Sequence, residues 1–384
     1  MRGFRFLSVV SVLTMVLMNG CAPNKEKESS LNDEQVVASF DEVLSRTDLS
    51  NYTADVASVP WGASYFLKAF AYMYQATNDV KYLKMLGSMS LDVLNLRADK
   101  SVKEVPEGSL NTDGSVKKLW FTNYSGSESG FAVTTGMATY PMAVFVNIVY
   151  KTPNLQNITL DSGKTLIAVA RELDKAIEES IAAHEVEWDE TNGVYKFNDT
   201  GASYPGMILP ANQYLALART LLIVGKTKDN ASYLNRVHRM AERFKSTLKL
   251  DETANAYSWA YWPEWGPRDE DFSHGAIDID FVSSYMEYGQ QTFNQEELGR
   301  LANTFSEKIV KGPDTFAESV SGDGVAKTPE SASMYMGLSM VDPEVHKIIQ
   351  GYFQNLIENA NPESARANSP LVLIGLASTM KYRP

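Results

Sequence analysis

The sequence predicts an all-α protein, and three observations support that prediction. Apolar residues recur at helical spacing over most of the chain, strand-like stretches are few and short, and helical hairpins recur. In the segment SYFLKAFAYMYQATNDVKYLKMLGSM, an apolar and aromatic stripe breaks at TND and resumes after it. The segment NQYLALARTLLIVGKTKDNASYLNRVHRMAERF repeats this scheme with a break at KDN. We therefore expect helical hairpins that repeat without strong sequence identity.

Further helices are predicted along the rest of the chain. The same periodicity places them at residues 35–46, 130–150, 163–184, 274–290, 295–310, 331–340, 342–360 and 369–380. Long loops rich in Gly, Ser, Pro and Asn lie at 99–129, 185–207 and 251–273. Loops of this length are uncommon in a compact domain unless they carry function. We therefore expect one all-α domain over residues 35–384, with long site-forming loops on one side.

The N-terminus has the pattern of an export signal. Residues 1–20 carry two arginines followed by an apolar stretch that is too short to span a membrane. They end at Cys21, the only cysteine of the sequence, which follows LMNG and resembles a bacterial lipobox. We expect an exported lipoprotein held through lipidated Cys21, in the outer membrane on its periplasmic or surface face; ordinary cleavage nearby is the alternative. Residues 21–34 are polar and predict a flexible tether.

The charge balance limits the classes of partner. Removal of Arg2 and Arg5 with the signal peptide leaves 33 basic and 47 acidic residues, a formal charge of −14. Such a surface argues against nucleic acid and against anionic membranes, so the lipid is the expected membrane contact. A polyanionic ligand would need a local basic or hydrogen-bonding site. We expect a monomer.

Four motifs together resemble the α/α-toroid carbohydrate-active proteins, and among them the bacterial uronic-acid polysaccharide lyases of the alginate and glucuronan type. The motifs are TTGMATYPMAVF, LPANQYLALARTLL, WAYWP and EDFSHGAIDIDF, which start at residues 134, 209, 259 and 270. The resemblance implies an (α/α)6-7 toroid, a barrel of helical hairpins whose inner helices present aromatic and polar side chains to a sugar chain. It leaves the reaction open, because hydrolases, epimerases and lyases share this architecture.

His274 is the leading candidate base. If Ser273 or Asp271 caps the following helix, His274 lies in its first turn, where the helix dipole favours a neutral ring that accepts a proton. Helical spacing aligns His274 with Asp278 and with Tyr285 on one face. A purely structural capping role is the alternative, and the adjacent loop is the most aromatic in the chain.

The charged residues around His274 have competing interpretations. Glu270 and Asp271 can act as acid and base, or can cap the helix and orient His274 and Arg268; Glu270 and Asp278 are also substrate-binding candidates. A glycoside hydrolase needs two carboxyls on opposite sides of the scissile bond, which adjacent residues rarely provide. A hydrolase would therefore need a distant second carboxylate, such as Glu128, Asp278 or Glu264. Arg268 can bind a substrate carboxylate bidentately or can neutralise the acids beside it.

Amides and tyrosines supply the remaining catalytic candidates. Asn212 can disperse the charge of a uronate by hydrogen bonding, or can cap its helix; Gln213 beside it is a binding candidate. Tyr261 can protonate the leaving oxygen, or can act as a base if a cation lowers the pKa of its phenol.

Aromatic residues are candidates for stacking on sugars, because an aromatic face packs against the apolar face of a pyranose. The binding candidates of this class are Trp259, Trp262, Trp265, Trp120, Tyr124 and Tyr335.

No signature of a cofactor or metal is found. The sequence has no zinc constellation, Walker loop, dinucleotide fingerprint or nucleophile elbow. The acidic loop SGDGVAKTPE does not match the ligand spacing of a calcium-binding EF-hand. We therefore predict a site without metal or cofactor.

The sequence-based hypothesis is β-elimination of an acidic, uronic-acid-containing polysaccharide or oligosaccharide. His274 and Tyr261 would exchange protons with the substrate, while Asn212 or Arg268 disperses the uronate charge. A C5-epimerase, a glycoside hydrolase on the same toroid, and a non-catalytic glycan-binding lipoprotein are the alternatives.

Overall fold

Helices dominate the computed structural model, which describes residues 31–101, 108–124, 127–198 and 204–384. The predicted signal peptide, Cys21 and most of the predicted tether lie outside these residues. The α-helices are α1 Asp33–Ser45, α2 Ser50–Thr53, α3 Ser64–Thr77, α4 Val80–Asn95, α5 Ala132–Lys151, α6 Leu166–Ala183, α7 Ala211–Lys228, α8 Ala231–Thr247, α9 Phe272–Glu287, α10 Gln295–Asn303, α11 Pro343–Asn359 and α12 Pro370–Lys381.

Shorter elements link these helices. The 3₁₀ helices are Val56–Ser58, Pro153–Leu155, Glu185–Glu187 and Pro329–Met340, and the π-helical turns are Val59–Ala63 and Thr304–Ile309. Four antiparallel two-stranded ribbons complete the described residues. Their strands are β1 Thr122–Tyr124, β2 Ser127–Ser129, β3 Trp188–Asp189, β4 Val194–Tyr195, β5 Lys249–Asp251, β6 Ala256–Ser258, β7 Val310–Gly312 and β8 Thr315–Phe316.

The helices form two concentric rings. The inner ring consists of α3, α5, α7, α9, the 3₁₀ helix Pro329–Met340 and α12, which contact one another in that order, and α12 closes the ring against α3. Outside them lie α4, α6, α8, α10, α11 and α1. Because each inner segment is followed or preceded by an outer one, the prediction of an all-α toroid with six or seven helical hairpins is confirmed, with six inner segments in the described residues.

Burial distinguishes the two rings. Inner helices are buried around most of their circumference, whereas outer helices bury one stripe, such as Val237, Met240, Ala241 and Phe244 of α8. Among the described residues, α5 is long and apolar enough to cross a membrane, but 89% of its most apolar window is buried inside the protein. This burial pattern is that of the core helix of a toroid.

The predicted breaks are real helix boundaries. Asn78 and Asp229 end α3 and α7 in the left-handed conformation, with φ of 57° and 54°. Asp79 and Asn230 then cap α4 and α8, accepting hydrogen bonds from backbone N–H groups of the first turn. Each break therefore combines a left-handed C-cap with a polar N-cap, which is why the hairpins turn sharply.

Other boundaries differ from the prediction. Helix α1 begins at Asp33, two residues before the predicted start, because Asn32 and Gln35 form a capping box. The predicted helix 295–310 leaves α-geometry at Thr304, and the segment predicted as helix 331–340 is a 3₁₀ helix from Pro329 to Met340. The spacing of apolar residues does not distinguish these helix types over so few turns.

Inner helices α5 and α7 run parallel and very close together. Thr139 and Thr220 hydroxyls lie 2.9 Å apart, and the Asn147 amide donates to the Thr227 hydroxyl at 2.7 Å, so both sequences advance in the same direction. Gly136 makes the approach possible, because a Cβ there would lie 2.3 Å from the carbonyl carbon of Ala216.

This contact predicts a large loss of stability for Gly136→Ala. The added methyl group must push two helix backbones apart, so we expect the free energy of unfolding to fall by about 1–3 kcal/mol. Gly299→Ala in α10 is the matched control, since a Cβ added there would meet no atom within 4 Å and alanine favours helix. Urea unfolding followed by circular dichroism measures both; equal stability of the two variants would contradict the packing argument.

Candidate functional site

The N-terminal ends of several inner helices surround a cleft. It has a volume of about 360 Å³ and is lined by Trp61, Tyr65, Ser273, His274, Ile277, Thr328, Ser331, Ser369, Pro370 and Leu371. These residues come from the first turns of α3, α9 and α12 and from the start of the 3₁₀ helix Pro329–Met340. Because the N–H groups of a first turn lack intrahelical partners, the walls carry partial positive charge.

A histidine–carboxylate dyad lies in this cleft. Asp271 is the N-cap of α9, and its Oδ1 accepts hydrogen bonds from the backbone N–H groups of Ser273 and His274 at 3.1 and 3.0 Å. Its Oδ2 lies 2.5 Å from Nδ1 of His274. The His274 side chain is 36% exposed. The carboxylate therefore fixes the ring and leaves Nε2 as the nitrogen available to a ligand.

The environment of Asp271 favours its ionised form. Burial acts against ionisation, but the hydrogen bond and charge of His274, together with the N–H groups of the first turn, hold the pKa of Asp271 well below its usual range. The expectation that Asp271 caps the helix and that His274 lies in its first turn agrees with this geometry.

Two further carboxyls lie beneath the dyad. Glu270 and Asp278 are both fully buried. Glu270 accepts a hydrogen bond from the backbone N–H of Asp271 at 3.0 Å, and Asp278 accepts one from the indole of Trp259 at 2.9 Å. Burial is the main cause that raises the pKa of both groups. The charges of Asp278 and Asp271 raise the pKa of Glu270 further, whereas hydrogen bonds with Trp259 and Glu270 lower that of Asp278. This environment favours the protonated form of the pair.

Glu270, Asp271 and His274 also form the cluster that comes nearest to a metal site in the described residues, with one ligand atom from each within 4.8 Å of the others. The Nδ1 of His274 is already hydrogen-bonded to Asp271, whose other oxygen caps the helix. A metal ion would have to displace these bonds. The absence of a metal stays a prediction.

Tyr261 packs beside the dyad. Its ring centroid lies 5.3 Å from that of His274, and the guanidinium of Arg268 lies 5.8 Å from the Tyr261 ring centroid. Burial and the charges of Glu270 and Asp271 raise the pKa of Tyr261 to about 12, although Arg268 and a hydrogen bond with Gln213 act in the opposite direction. The phenol is therefore an acid or a hydrogen-bond donor at neutral pH, and its role as a base is disfavoured.

The amide and guanidinium candidates lie around Tyr261. Asn212 is in the first turn of α7 and buried, and no partner is described for its Oδ1. It does not cap the helix, because the N-cap is Pro210. Arg268 is exposed and pairs with no carboxylate among the described residues. Of the two interpretations of Arg268, the structure therefore disfavours neutralisation of its acidic neighbours.

Several predicted sugar-binding residues belong to the core instead. Trp259 and Trp120 are fully buried, and their indoles donate to Asp278 and to the backbone carbonyl of Val93. Tyr335 is also fully buried and donates to the carbonyl of Phe272 at 3.1 Å. Their prediction as substrate contacts was wrong, because sequence does not distinguish an aromatic side chain in a core from one in a cleft.

The same correction applies to Glu270 and Asp278 as substrate-binding residues, since no surface of either reaches solvent. His274 and Tyr285 both lie on α9, as the spacing predicted, but the Tyr285 hydroxyl bonds to Thr292 at 2.8 Å at the far end of the helix and is not part of the site around His274. Tyr124 lies in β1, and its side chain is outside the described part of the chain.

Trp262 and Trp265 occupy the loop that follows Tyr261. Trp262 is nearly buried and donates from its indole to the carbonyl of Ile208 at 2.7 Å, whereas Trp265 is 64% exposed. Of the predicted tryptophans, Trp265 alone is exposed enough to stack on a ligand.

The two aromatic residues of the cleft were missed by the sequence analysis. Trp61 is 38% exposed and lies just before α3, and Tyr65 lies in its first turn. The apolar stripe of this segment contains Phe66 and Phe70, which face the core. A second stripe of the same helix, Tyr65, Lys68 and Tyr72, places a charged residue between two aromatic residues. This pattern could have marked the segment as part of the site.

That lysine belongs to an ionic cluster on the barrel axis. Lys68 Nζ lies 2.6 Å from Oδ1 of Asp280, and Arg219 pairs with Oδ2 of the same carboxylate. All three side chains are buried. The guanidinium of Arg219 lies 4.8 Å from the ring centroid of Tyr140. Lys68 and Asp280 each follow a cleft residue, Tyr65 and Ile277, by three positions, so the cluster lies about one helical turn below the cleft.

The raised pKa of Glu270 predicts a pH-dependent stability difference for Glu270→Gln. A carboxyl whose pKa is higher in the folded than in the unfolded state favours folding below its unfolded pKa, and this contribution is lost as pH rises. We therefore expect wild-type protein to lose more unfolding free energy between about pH 5 and about pH 8 than the variant. Urea titrations at both pH values measure this; Glu252→Gln, at an exposed residue with no ion pair among the described residues, is the control. If the unfolding free energies of wild type and Glu270→Gln changed equally with pH, the raised pKa of Glu270 would be contradicted.

Comparison with known proteins places the fold. No protein-family model and no curated protein matches the sequence. A possible member of the GH105 family from Salmonella enterica superposes with a TM-score of 0.58 at 9% identity, over 96% of this chain and 98% of the other. A glycosyl hydrolase family 88 protein from Bacteroides vulgatus gives 0.54 at 11%, over 91% and 98%.

A polysaccharide lyase is similar to the same degree, with a TM-score of 0.53 at 13% identity, over 91% of this chain and 97% of the other. Epimerases and an isomerase of sugars also share the architecture. At such identities the likeness establishes the fold, which is the α/α toroid of these carbohydrate-active enzymes.

Proposed function

We propose that this protein is a carbohydrate-processing enzyme that cleaves an acidic polysaccharide by β-elimination. The observation that carries the proposal is the Asp271–His274 dyad, which leaves Nε2 of the ring available in an open cleft. The toroid neighbours, which include a lyase, hydrolases and epimerases, support a carbohydrate substrate. The finer assignment to a lyase rests on the chemistry of the site.

In this reaction His274 removes the proton from C5 of a uronate. Asp271 holds the ring through Nδ1 and stabilises the imidazolium that forms. The electron pair of the C5–H bond forms the C4–C5 double bond, and the bond between C4 and its glycosidic oxygen breaks. Tyr261 gives a proton to that oxygen, a role that suits a phenol whose pKa is raised to about 12. Transfer of the proton from His274 to the Tyr261 phenolate, over a ring separation of 5.3 Å, restores both groups.

The negative charge of the uronate needs a partner during proton removal. The first-turn N–H groups around the cleft provide partial positive charge, and Arg268 is an exposed guanidinium that no described carboxylate neutralises. Stabilising the developing enolate in this way lowers the barrier without metal chemistry being required. Asn212, at the start of α7, is buried and is not among the residues that line the cleft, so this role is not assigned to it.

A hydrolase that uses Glu270 and Asp278 is less well supported. Glycoside hydrolysis needs two carboxyls on opposite sides of the scissile bond, about 5 to 9.5 Å apart. Glu270 and Asp278 are buried in contact with each other and with Trp259, below the cleft. A C5-epimerase would use the same proton abstraction and is distinguished by its product.

Export and lipid attachment through Cys21 belong to the same proposal. An acidic polysaccharide is too large to diffuse into a cell, so an enzyme of this kind acts outside the cytoplasm. The signal-like residues 1–20 and the lipobox-like LMNG before Cys21 support an outer-membrane lipoprotein. We propose that it acts as a monomer.

His274→Ala should abolish most elimination. We expect the mature protein to raise the ultraviolet absorbance of one of alginate, glucuronan, pectate or a glycosaminoglycan, since elimination creates a conjugated unsaturated uronate. Loss of the base should lower turnover by about 10²- to 10⁴-fold. His238→Ala is the control, because His238 bonds to Thr292 at 2.9 Å on an outer helix. Turnover of His274→Ala within a few-fold of wild type would refute the assignment; new reducing ends without absorbance would indicate hydrolysis.

Tyr261→Phe should lower turnover by an amount that depends on how much the leaving oxygen needs a proton. Without the phenol, a sugar oxygen must leave unprotonated, so we expect about a 10²-fold loss on polymer. A synthetic uronide with a 4-O-aryl group needs less protonation and should lose much less. Tyr257→Phe is the control, because the Tyr257 hydroxyl lies away from the cleft, where Arg300 donates to it at 3.3 Å. Equal losses on both substrates would show that Tyr261 is not the acid.

A further inference from the structure

The loop between Tyr261 and Arg268 holds a group of aromatic residues that the proposed reaction does not use. Trp262 and Trp265 stack with centroids 5.4 Å apart and planes 13° from parallel. Tyr204 contacts both edge-on, with centroid distances of 4.9 and 5.0 Å. Trp265 is 64% exposed although it belongs to this group, so one large flat face is open to solvent.

The loop is fixed rather than loosely attached. Ala260 and Asp269 form a β-bridge, and the backbone N–H of Tyr261 donates to the carbonyl of Arg268 at 2.9 Å. The N–H of Trp265 donates to the carbonyl of Trp262 at 2.9 Å. Since Trp262 is in turn held by its bond to Ile208, Trp265 rests on a buried support. Binding to a fixed aromatic face requires little ordering of the protein.

The chain links the aromatic group to the catalytic candidates. Tyr261, which packs against His274, is followed directly in sequence by Trp262, on which Trp265 stacks. Arg268 closes the same loop and lies over the ring of Tyr261 without a carboxylate partner among the described residues. In a protein of formal charge −12, such an arginine on the same loop as an exposed tryptophan is suited to an acidic ligand with flat apolar faces. A chain of uronic acids has both properties.

We propose that Trp265, supported by Trp262 and Tyr204, is a distal subsite that stacks on a sugar ring of a polysaccharide whose chain also occupies the His274 cleft. The inference rests on the proposed function for its substrate class. It adds that the enzyme binds several consecutive sugar units and therefore acts on long chains in preference to short ones. Isolated exposed tryptophans need no explanation, but this one is positioned by two aromatic contacts and lies on the loop that carries Tyr261.

The test measures binding without turnover. In the His274→Ala background, affinity gel electrophoresis with alginate, glucuronan, pectate and chondroitin sulfate gives a dissociation constant for each polymer that retards the protein. Adding Trp265→Ala should raise that constant about tenfold, whereas Trp265→Phe should restore much of the affinity. Val186→Ala, at an equally exposed apolar residue, is the control and should match its parent.

Two outcomes would overturn the subsite: a dissociation constant for Trp265→Ala within twofold of the parent, or a parent that none of the four polymers retards. The dissociation constants do not depend on which reaction the enzyme catalyses. If Trp265→Ala weakens binding while wild-type protein produces no unsaturated product, the subsite stands and the proposed elimination fails.

In an active enzyme, Trp265→Ala should also lower the preference for long chains. The kcat/KM for the polymer, divided by the kcat/KM for the trisaccharide of the same sugar, should fall about tenfold. An unchanged ratio would contradict the preference for long chains.

Discussion

The ion cluster of Lys68, Arg219 and Asp280 sets the register of the inner ring. Each residue comes from a different inner helix, α3, α7 or α9, and all three are buried. A buried carboxylate bonded by Lys68 and by Arg219 disfavours other registers, because sliding any helix by a residue would leave a buried polar group unpaired in an apolar core. Apolar packing would tolerate several registers. The cluster therefore fixes the levels of these helices, and Tyr140 on α5 joins it through the face of its ring.

The geometry of the cleft depends on the register of the inner helices. Tyr65 and Ile277 lie one turn above Lys68 and Asp280, so their side chains meet at the same level of the barrel. His274 is one further turn toward the N-terminus of α9 and is held by Asp271, the N-cap of that helix. The cleft end of the barrel is thus made of first turns, where side chains can reach the opening and where N-caps such as Asp271 bond the backbone N–H groups. The opposite ends of α3, α9 and α12 contact one another. Lys381 of α12 forms an ion pair with Glu287 of α9 and lies over the ring of Tyr72 of α3, and these contacts close that end of the barrel.

Sequence reasoning predicted the fold more completely than the site. Helical periodicity identified both hairpins, and TND and KDN marked real boundaries because a left-handed C-cap and a polar N-cap require those residue types. His274, Asp271 and Tyr261 are close in sequence, so local rules were enough to place them together. Trp61 and Tyr65 were missed because ring closure between α12 and α3 brings them to His274, a contact between residues about 200 positions apart. Burial of Trp259, Trp120 and Tyr335 depends equally on tertiary packing, which periodicity does not encode.

The three carboxyls around His274 have different environments, and this difference favours one chemistry. Asp271 accepts N–H groups and the imidazole, which lower its pKa, whereas burial raises the pKa of Glu270 and Asp278. Burial favours the protonated form of Glu270 and Asp278, and neither side chain reaches the surface of the cleft. Asp271 is ionised, but it is already bonded to Nδ1 of His274 and to the first-turn N–H groups, so it orients the ring and is not free to attack a sugar carbon. A site built in this way suits removal of a proton from carbon better than displacement at an anomeric centre.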